Sequence, residues 1–499
     1  MIWHIARREL LDHLQSVRFV ALFLLALALM PVGAYVNGKS YETRHDYYES
    51  LVEAQRAKAA NTDASPRYGF TWDGVADEAL RAPREPAPLS MLTIGDDATM
   101  PAYWQYGTAG ASEGLPPAIY EGLAGLLGDV DFLFVTQVVL GLLAVLLVFD
   151  SVCGDRESGT LRAVLAHSVP RSTLLAGKYL GGLITLVLPL LLGLLASLLV
   201  LQLSGLDLAD GELLLRIALM ALGGALYLSC LLGIGLLVSA VTRHQRNALV
   251  ALLVVWVVLV LLVPRLGSLV ATGLVPVDAE EVARRKQALA VEGIEEERKR
   301  LLISEAHRAF EWPSTEPPWQ MIFEELPKDQ LEARLADYER ARVRIEGDLF
   351  RQKRQLVLDH ETERRRSLVA QARVAGVLDR LSPAASLGFL ASEMAETGPS
   401  TLARWESLVR AHQTALEQAL FDRTAGIEVV FDDGRWRNPT PREGDAKVPG
   451  YAELPQFEYR SAGLGASLRA AAPDFALLAL YNLLVLGGAA VLFSRYDVR

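Results

Sequence analysis

Cysteine is scarce in this chain: Cys153 and Cys230 are the only two, and neither lies in a long hydrophilic segment, so a disulfide framework and a paired-thiol metal site are both excluded. A phosphate-binding loop is also lacking. Gly177-Lys178 ends like one, but Ser172 stands where the first glycine is required and Tyr179 where Ser or Thr is required. Any energy drawn from a nucleotide therefore has to come from another chain. The eight histidines form no metal-spaced cluster, and His360 with Glu361 and Glu363 sits on a charge-rich helical face that suits solvent better than zinc. No basic excess marks a nucleic-acid surface either, because the net charge is -10 and basic residues alternate with acidic ones.

What the chain has is apolar sequence. Of 499 residues, 51% are hydrophobic although 22% are charged, so the two classes must be segregated. Uncharged stretches run Phe19 to Val36, Phe132 to Phe149, Leu180 to Leu203, Ile217 to Val241, Ala248 to Val263 and Phe475 to Phe493. Each is long enough to cross a hydrocarbon core of roughly 30 Å as a helix. The fifth, the shortest, extends to Leu266 if Arg265 snorkels. Because none of the six holds Asp, Glu, Lys, Arg or His, a proton-driven carrier or a voltage sensor is disfavoured. Gln137 and Asn482 are polar residues within spans and read as helix-to-helix hydrogen bonders, while Pro31 and Pro189 read as kinks.

Lys and Arg in the short connections set the orientation. The N-terminal segment carries Arg7, Arg8 and Arg18; the link from the second to the third span carries Arg156, Arg162, Arg171 and Lys178; the fourth-to-fifth link carries Arg243 and Arg246; the C-terminus carries Arg495 and Arg499. Six crossings put all four on one side, the cytoplasm. The expected order is a cytoplasmic interfacial helix over 1–18, spans at 19–36, 132–149, 180–203, 217–241, 248–266 and 475–493, a cytoplasmic segment over 150–179, extracytoplasmic parts at 37–131 and 267–474, and a cytoplasmic tail at 494–499. Ile2, Trp3, Ile5, Ala6, Leu10, Leu11 and Leu14 fall near helical spacing, which suits an interfacial helix. The competing reading of the first stretch is a cleaved signal peptide ending near Val32-Gly33-Ala34.

The second long segment reads as helix from about Asp278 to Phe310, a break at Trp312-Pro313, and helix again from Pro327 towards Leu381. Leu331, Leu335, Tyr338, Ile345, Leu349 and Leu356 give the latter a narrow seam that an antiparallel partner helix would bury. Helix then resumes after Ser382-Pro383 as far as about Arg423, and Ile427 to Phe431 reads as a short strand. A docking domain and a bracing spacer are both open readings of this segment. The first long segment is irregular and aromatic, with Tyr41, Tyr47, Tyr48, Tyr68, Phe70, Trp72, Tyr103, Trp104, Tyr106 and Tyr120, a set that reads as the core of a small domain or as a binding surface.

The most informative segment is Asp150-Ser151-Val152-Cys153-Gly154-Asp155-Arg156-Glu157-Ser158-Gly159-Thr160-Leu161-Arg162-Ala163-Val164-Leu165, followed by Ser168-Val169-Pro170-Arg171-Ser172 and Gly177-Lys178-Tyr179-Leu180. It reads as a short amphipathic helix between two spans. Gly159 would permit close backbone approach, Arg156, Glu157 and Arg162 would offer charge to a cytoplasmic partner, and Leu161, Val164 and Leu165 would offer a ridge.

These residues resemble the first cytoplasmic loop of ABC-2 type exporter permeases, with its Glu-x-Gly-Thr-Leu-like coupling helix, Pro-x-Ser-like turn and Gly-Lys before the next span. Val238-Ser239-Ala240-Val241-Thr242-Arg243 with Gln245, Asn247 and Ala248, and the terminal Tyr496-Asp497-Val498-Arg499, look like the same family. The likeness is strongest to a branch with large extracytoplasmic inserts related to the permease of nitrous-oxide reductase maturation. It covers all six spans and not the two inserts. It implies an all-α membrane protein, with six transmembrane helices of the ABC-2 exporter type and a mostly helical extracytoplasmic domain. It implies also a non-catalytic membrane subunit in a bacterial inner membrane, both termini cytoplasmic, paired with a second permease copy or paralogue. A separate ATPase subunit would bind the ATP and Mg, so no cofactor is expected in this chain. Asp155, Arg156, Glu157, Gly159, Thr160 and Leu161 are the expected ATPase-coupling contacts. Export of a substrate is the leading expectation. The alternative is a mechanotransmitter that works on an envelope partner through the outer helical domain.

Overall fold

The computed structural model describes residues 1–60, 81–97, 100–105, 112–114, 130–160, 170–311, 327–424, 430–432, 435–437 and 453–494. Among them, six helices are long and apolar enough to cross a membrane. They are α2 (Val17–Ala60), α3 (Phe132–Phe134, Val135–Leu140 and Gly141–Val148), α5 (Arg171–Leu203), α6 (Gly211–Val241), α7 (Gln245–Trp256, Val257–Leu262 and Val263–Leu274) and α12 (Leu464–Ser494). The remaining helices are α1 (Ile2–Leu14), α4 (Cys153–Glu157), α8 (Glu280–Phe310), α9 (Lys328–Asp379), α10 (Pro383–Met394) and α11 (Pro399–Thr424). Among the described residues, strands are confined to two small antiparallel sheets: Arg81–Pro83, Tyr103–Gln105 and Ser112–Gly114, and a pair of Val430–Asp432 with Arg435–Arg437. The fold is all-α, as the sequence implies.

Most helices outrun their apolar stretches. The stretch read over 19–36 lies in a helix that continues to Ala60, so the first quarter of the part expected to be irregular, including Tyr41, Tyr47 and Tyr48, is helical. That extension is fixed to the small sheet through Asp97, whose buried carboxylate takes the guanidinium groups of both Arg44 and Arg84. Trp104 packs with Trp405 and Val409 into a core of its own, whereas Tyr68, Phe70, Trp72, Tyr106 and Tyr120 lie outside the described residues. The stretch read as 248–266 belongs to a helix running to Leu274, with Arg265 exposed along it. Pro31 and Pro189 both lie inside continuous helices.

Two of the spans contain a π turn, and each turn shows where a backbone group goes when its helical partner is lost. In α3 the Gly141 amide bonds Thr136 O, five residues back, and bypasses Gln137 O. That carbonyl accepts the hydroxyl of the fully buried Tyr227 of α6 at 3.0 Å. In α7 the Val263 amide bonds Val258 O, which bypasses Leu259 O one residue before Pro264 removes a further amide. Leu259 O accepts from Ser382 Oγ. With no water in a bilayer core, a carbonyl left alone would cost several kcal/mol.

Ser382 also caps α10, accepting the amides of Ala384 and Ala385 at 3.0 and 3.5 Å. This is the main departure from the sequence reading, which assigned 267–474 to an extracytoplasmic domain and ran a single helix from Ser382-Pro383 to about Arg423. The structure instead holds two helices there, and the first is in the bundle. Leu387, Leu390, Ala391 and Met394 are buried in the same core as Leu186, Leu190 and Leu228 of the spans. Gln137 Nε2 donates to Ala384 O at 3.0 Å, and Tyr481 of α12 donates to Arg380 O. Asn482 takes the other polar role read from the sequence, donating to Leu226 O at 2.9 Å and accepting from Ser229. A twelve-residue apolar segment is too short to span, and burial in a protein core is how such a segment avoids water.

Two arginines fix the ends of α10. Arg380 pairs both nitrogens with the buried Asp474 of α12 at 2.7 and 3.0 Å. Arg216, buried near the start of α6, donates to Met394 O at 3.1 Å, Ser467 Oγ at 2.9 Å, Glu396 at 2.8 Å and Ala462 O at 2.7 Å. The outer hairpin of α8 and α9 is antiparallel, as the seam requires. Tyr338 and Leu349 are buried, Leu331 and Leu335 pack on Ala306 and Phe310, and Arg298 meets Glu346 at 3.3 Å. Asp131 caps α3, accepting Phe134 N at 2.8 Å and Ile94 N at 3.3 Å.

Replacing Tyr227 by Phe keeps the ring but strands Gln137 O, so unfolding in detergent should show a loss of about 1–3 kcal/mol. An unchanged midpoint would show that another donor reaches that carbonyl. Burial raises the Asp131 carboxyl to about 6, against the opposing pull of its amide bonds. A folded-state pKa above the unfolded value of roughly 3.9 means that the folded chain holds this proton more tightly, so stability falls as pH rises between the two. Asp131→Asn keeps the capping oxygen, and its stability relative to wild type should climb by at most about 3 kcal/mol between pH ~4 and ~6, then level off.

Candidate coupling site

The segment between α3 and α5 is built from helix ends that leave amides and carbonyls without intrahelical partners. α4 is a single turn and cannot stabilise itself. Its first amides are taken by the buried Ser239 of α6, whose Oγ accepts from Val152 N at 3.0 Å and Cys153 N at 3.2 Å and donates to Phe149 O at 3.0 Å. The Val238-Ser239-Ala240-Val241-Thr242-Arg243 motif therefore receives the loop motif directly.

α4 in turn caps its neighbours. Arg156 donates to Thr242 O at 2.8 Å and Ala240 O at 3.1 Å, which satisfies the last carbonyls of α6. Glu157 lies at the start of α7, accepting Gln245 N at 3.4 Å and meeting His244 Nδ1 at 3.2 Å, where a carboxylate suits the positive end of a helix. Asp155 meets Lys178 Nζ at 2.9 Å, and the same ammonium meets Glu9 at 2.6 Å. One turn of helix is thus bonded to α6, α7, α5 and, through Lys178, to α1. Arg156 and Glu157, expected to offer their charge outward, spend much of it inside the chain.

Gly177 and Gly181 let α1 lie directly on α5. A Cβ at Gly177 would come 2.6 Å from Ile5 Cγ2, and one at Gly181 would come 2.7 Å from Ala6 O, so any larger residue would push α1 off. The Gly-Lys read before the third span therefore has two jobs, close packing at the glycine and the Glu9–Asp155 bridge at the lysine. His13, held below its usual pKa by burial against the opposing charge of Glu9, lies on the same side of α1 as Glu9. Ala6 is buried, whereas Met1, Ile2, Trp3 and Leu11 face outward, as an interfacial helix requires.

Beyond Glu157 the chain turns away. Gly159 has φ +76°, a left-handed conformation that only glycine adopts without strain, and no atom of the described residues lies within 4 Å of a Cβ placed there. Among the described residues it is backbone conformation, and not close approach, that accounts for the glycine. Thr160 Oγ1 folds back onto Asp155 O at 3.2 Å and Oδ1 at 3.1 Å. Glu157, Ser158, Gly159 and Thr160 are all exposed. Leu161, Arg162, Val164 and Leu165 lie outside the described residues. The sequence reading missed Ser239, Lys178 and Glu9 as parts of this site. The Ser239 and Lys178 motifs were visible, but Ser239 bonds Cys153 from 86 positions away and Lys178 meets Glu9 from 169 positions away.

In Arg156→Ala the terminal carbonyls of α6 lose a charged donor, a change worth about 1.5–3 kcal/mol. Hydrogen exchange should rise at residues 150–160 and 240–247 and stay unchanged at 383–394, and Arg156→Lys should restore part of the protection.

Residues 3–498 match the model of a family described as ABC-2 family transporter protein. No curated protein matches the chain.

Proposed function

This chain belongs to the ABC-2 family of transporter proteins, a multi-pass membrane permease by family and by its six apolar helices, and from that premise we propose that it couples ATP hydrolysis by a separate ATPase subunit to export of a substrate. α4 and the exposed residues Glu157 to Thr160 form the contact for that ATPase. The observation that carries this reading is the bonding of α4 to four other helices. A push on a one-turn helix held by Ser239, Arg156, Glu157 and the Asp155–Lys178–Glu9 bridge moves α6, α7, α5 and α1 together instead of bending a loop. Arg and Lys concentrate on the links at this end, which supports a cytoplasmic placement for it and for both termini, in a bacterial inner membrane. The complex holds two permease subunits, this chain with a second copy or a paralogue, and two ATPases that bind ATP and Mg.

A second reading is supported by the length of α9, 52 residues and about 80 Å at 1.5 Å per residue. Such an arm could act on an envelope partner without any substrate crossing the membrane. Vesicles containing the purified complex discriminate the two: ATP-dependent flux supports export, and ATP turnover governed by an envelope protein without flux supports the mechanical role.

The test of the ATPase contact is purification from native membranes combined with cross-linking from Ser158→Cys. An ATPase subunit should co-purify and carry the cross-link, and Arg156→Ala should lower ATP turnover several-fold while the complex stays assembled. Labelling of Ser158→Cys from outside intact cells would overturn the proposal.

A further inference from the structure

Among the described residues, the outer half of α7 (Val263–Leu274), α8 and α9 pack chiefly on one another. Gly267 of α7 lies against Asp379 and Ala375 of α9, where no Cβ would fit, and Gln371 Nε2 donates to Val275 O at 2.8 Å. Further out, Arg298 of α8 meets Glu346 of α9 at 3.3 Å, and Ala306 and Phe310 close on Tyr338. These three helices form one continuous arm. The next helix, α10, packs instead on α6 and α12, with Leu387 and Leu390 against Gly223, and so belongs to the bundle.

The chain enters and leaves this arm through two interruptions of helix that stand at the same level. On one leg the π turn of α7 (Val257–Leu262) is followed at once by Pro264, and on the other α9 stops at Asp379 and helix restarts only at Pro383. Ser382 Oγ donates to Leu259 O and so ties one interruption to the other. The same level is pinned to the bundle, because Tyr481 of α12 donates to Arg380 O and the Arg380 guanidinium pairs with Asp474 at 2.7 and 3.0 Å. Prolines and π bulges are where a long helix bends, and hinges are made of a few residues at the ends of elements. Val257, Val258, Leu261 and Leu262 are all exposed, so these side chains do not brace the π turn. Above the pinned level Arg365 of α9 pairs with Glu406 of α11, a contact of partly exposed groups and therefore a weak restraint.

We infer that the outer half of α7, α8 and α9 swing as one rigid arm relative to the bundle, about an axis through Leu259 and Ser382. Two joints at one level, bridged by a hydrogen bond, define an axis, whereas a single joint would leave the arm free to turn in any direction. By the Arg298–Glu346 register, Leu289 of α8 lies beside residue 355 of α9, about 40 Å from the axis at 1.5 Å per residue, and Leu368 lies about 20 Å from it. A rotation of about 15°, as subunits make in switching proteins, then carries Leu289 through about 10 Å and Leu368 through about 5 Å. The inference concerns motion of this chain alone and holds whatever the complex transports and whichever protein drives it.

The experiment measures distances between pairs of spin labels by pulsed electron resonance on the full chain in lipid nanodiscs, with Cys153 and Cys230 replaced by Ala. One label sits at Leu203→Cys, exposed at the outer end of α5, and the other at Leu289→Cys, Leu368→Cys or Leu381→Cys, which are exposed at increasing closeness to the axis. A fourth pair, Leu289→Cys with Leu368→Cys, lies wholly within the arm. The spread of distances to Leu203→Cys should be largest for Leu289→Cys, at least twice that of the pair within the arm, and should shrink through Leu368→Cys to the within-arm value at Leu381→Cys. A Leu289→Cys spread no wider than the within-arm pair would mean that the arm is fixed to the bundle and would overturn the inference. An equal spread at all three positions would put the joint elsewhere, and a within-arm pair as broad as the others would show that the arm is not one body; either result also defeats it.

Discussion

Backbone groups withdrawn from water have to find partners within the chain, and that requirement organises this molecule from end to end. Inside the bundle it is met by two hydroxyls, those of Tyr227 and Ser382, on the carbonyls that the two π turns release. At the coupling end it is met by Ser239 on the amides of α4, by Arg156 on the carbonyls of α6 and by Glu157 at the start of α7. At the other end Arg216 collects Met394 O and Ala462 O on one guanidinium. Each of these side chains belongs to a different element from the backbone it satisfies, so helix ends and bulges are where the helices are joined.

Charge follows the same logic. The apolar stretches exclude ionisable residues, but Lys178, Arg216 and Asp474 are buried just beyond them, each beside a partner of opposite charge. Removing one partner of such a pair leaves an uncompensated charge, which is costly, so the pairs enforce one arrangement of the elements they join. Lys178 joins α1, α4 and α5, while Arg216 and Arg380 hold α10 against α6 and α12. The two ends are therefore linked rigidly by α6, which carries Arg216 at one end and Ser239 near the other. Under the proposed function, a displacement of α4 would be passed to α10 through that helix, from the ATPase contact to the outer arm.

The coupling motif was readable as a motif, because Asp155, Arg156, Glu157, Gly159 and Thr160 recur in a recognisable order, yet the partners of these residues were not. The charges of Arg156 and Glu157 read as outward because local sequence shows only that they are charged; that the ends of α6 and α7 lie within hydrogen-bonding reach is a fact of packing. Gly159 was legible as a required glycine but for a different reason, since sequence does not distinguish a left-handed turn from a close contact. α10 was hidden more thoroughly. Its twelve residues contain Ser386 and Glu393 and fall below any length that signals a span, so their burial depends on the cleft that α3, α6, α7 and α12 leave between them.

Composition alone determined that this chain lives in a membrane, crosses it with six helices and carries its basic links towards one end, because the cost of leaving charge or backbone unpaired in hydrocarbon is larger than any packing preference that could oppose it. The hairpin seam at Tyr338 and Leu349 was likewise decided locally, by the helical period. Only the tertiary structure decided which helix ends meet, which carbonyls need a foreign hydroxyl and where the twelve-residue helix goes. Those outcomes rest on hydrogen bonds of about 3 Å between residues more than 250 positions apart, and such a bond exists only once the intervening chain has been folded into place.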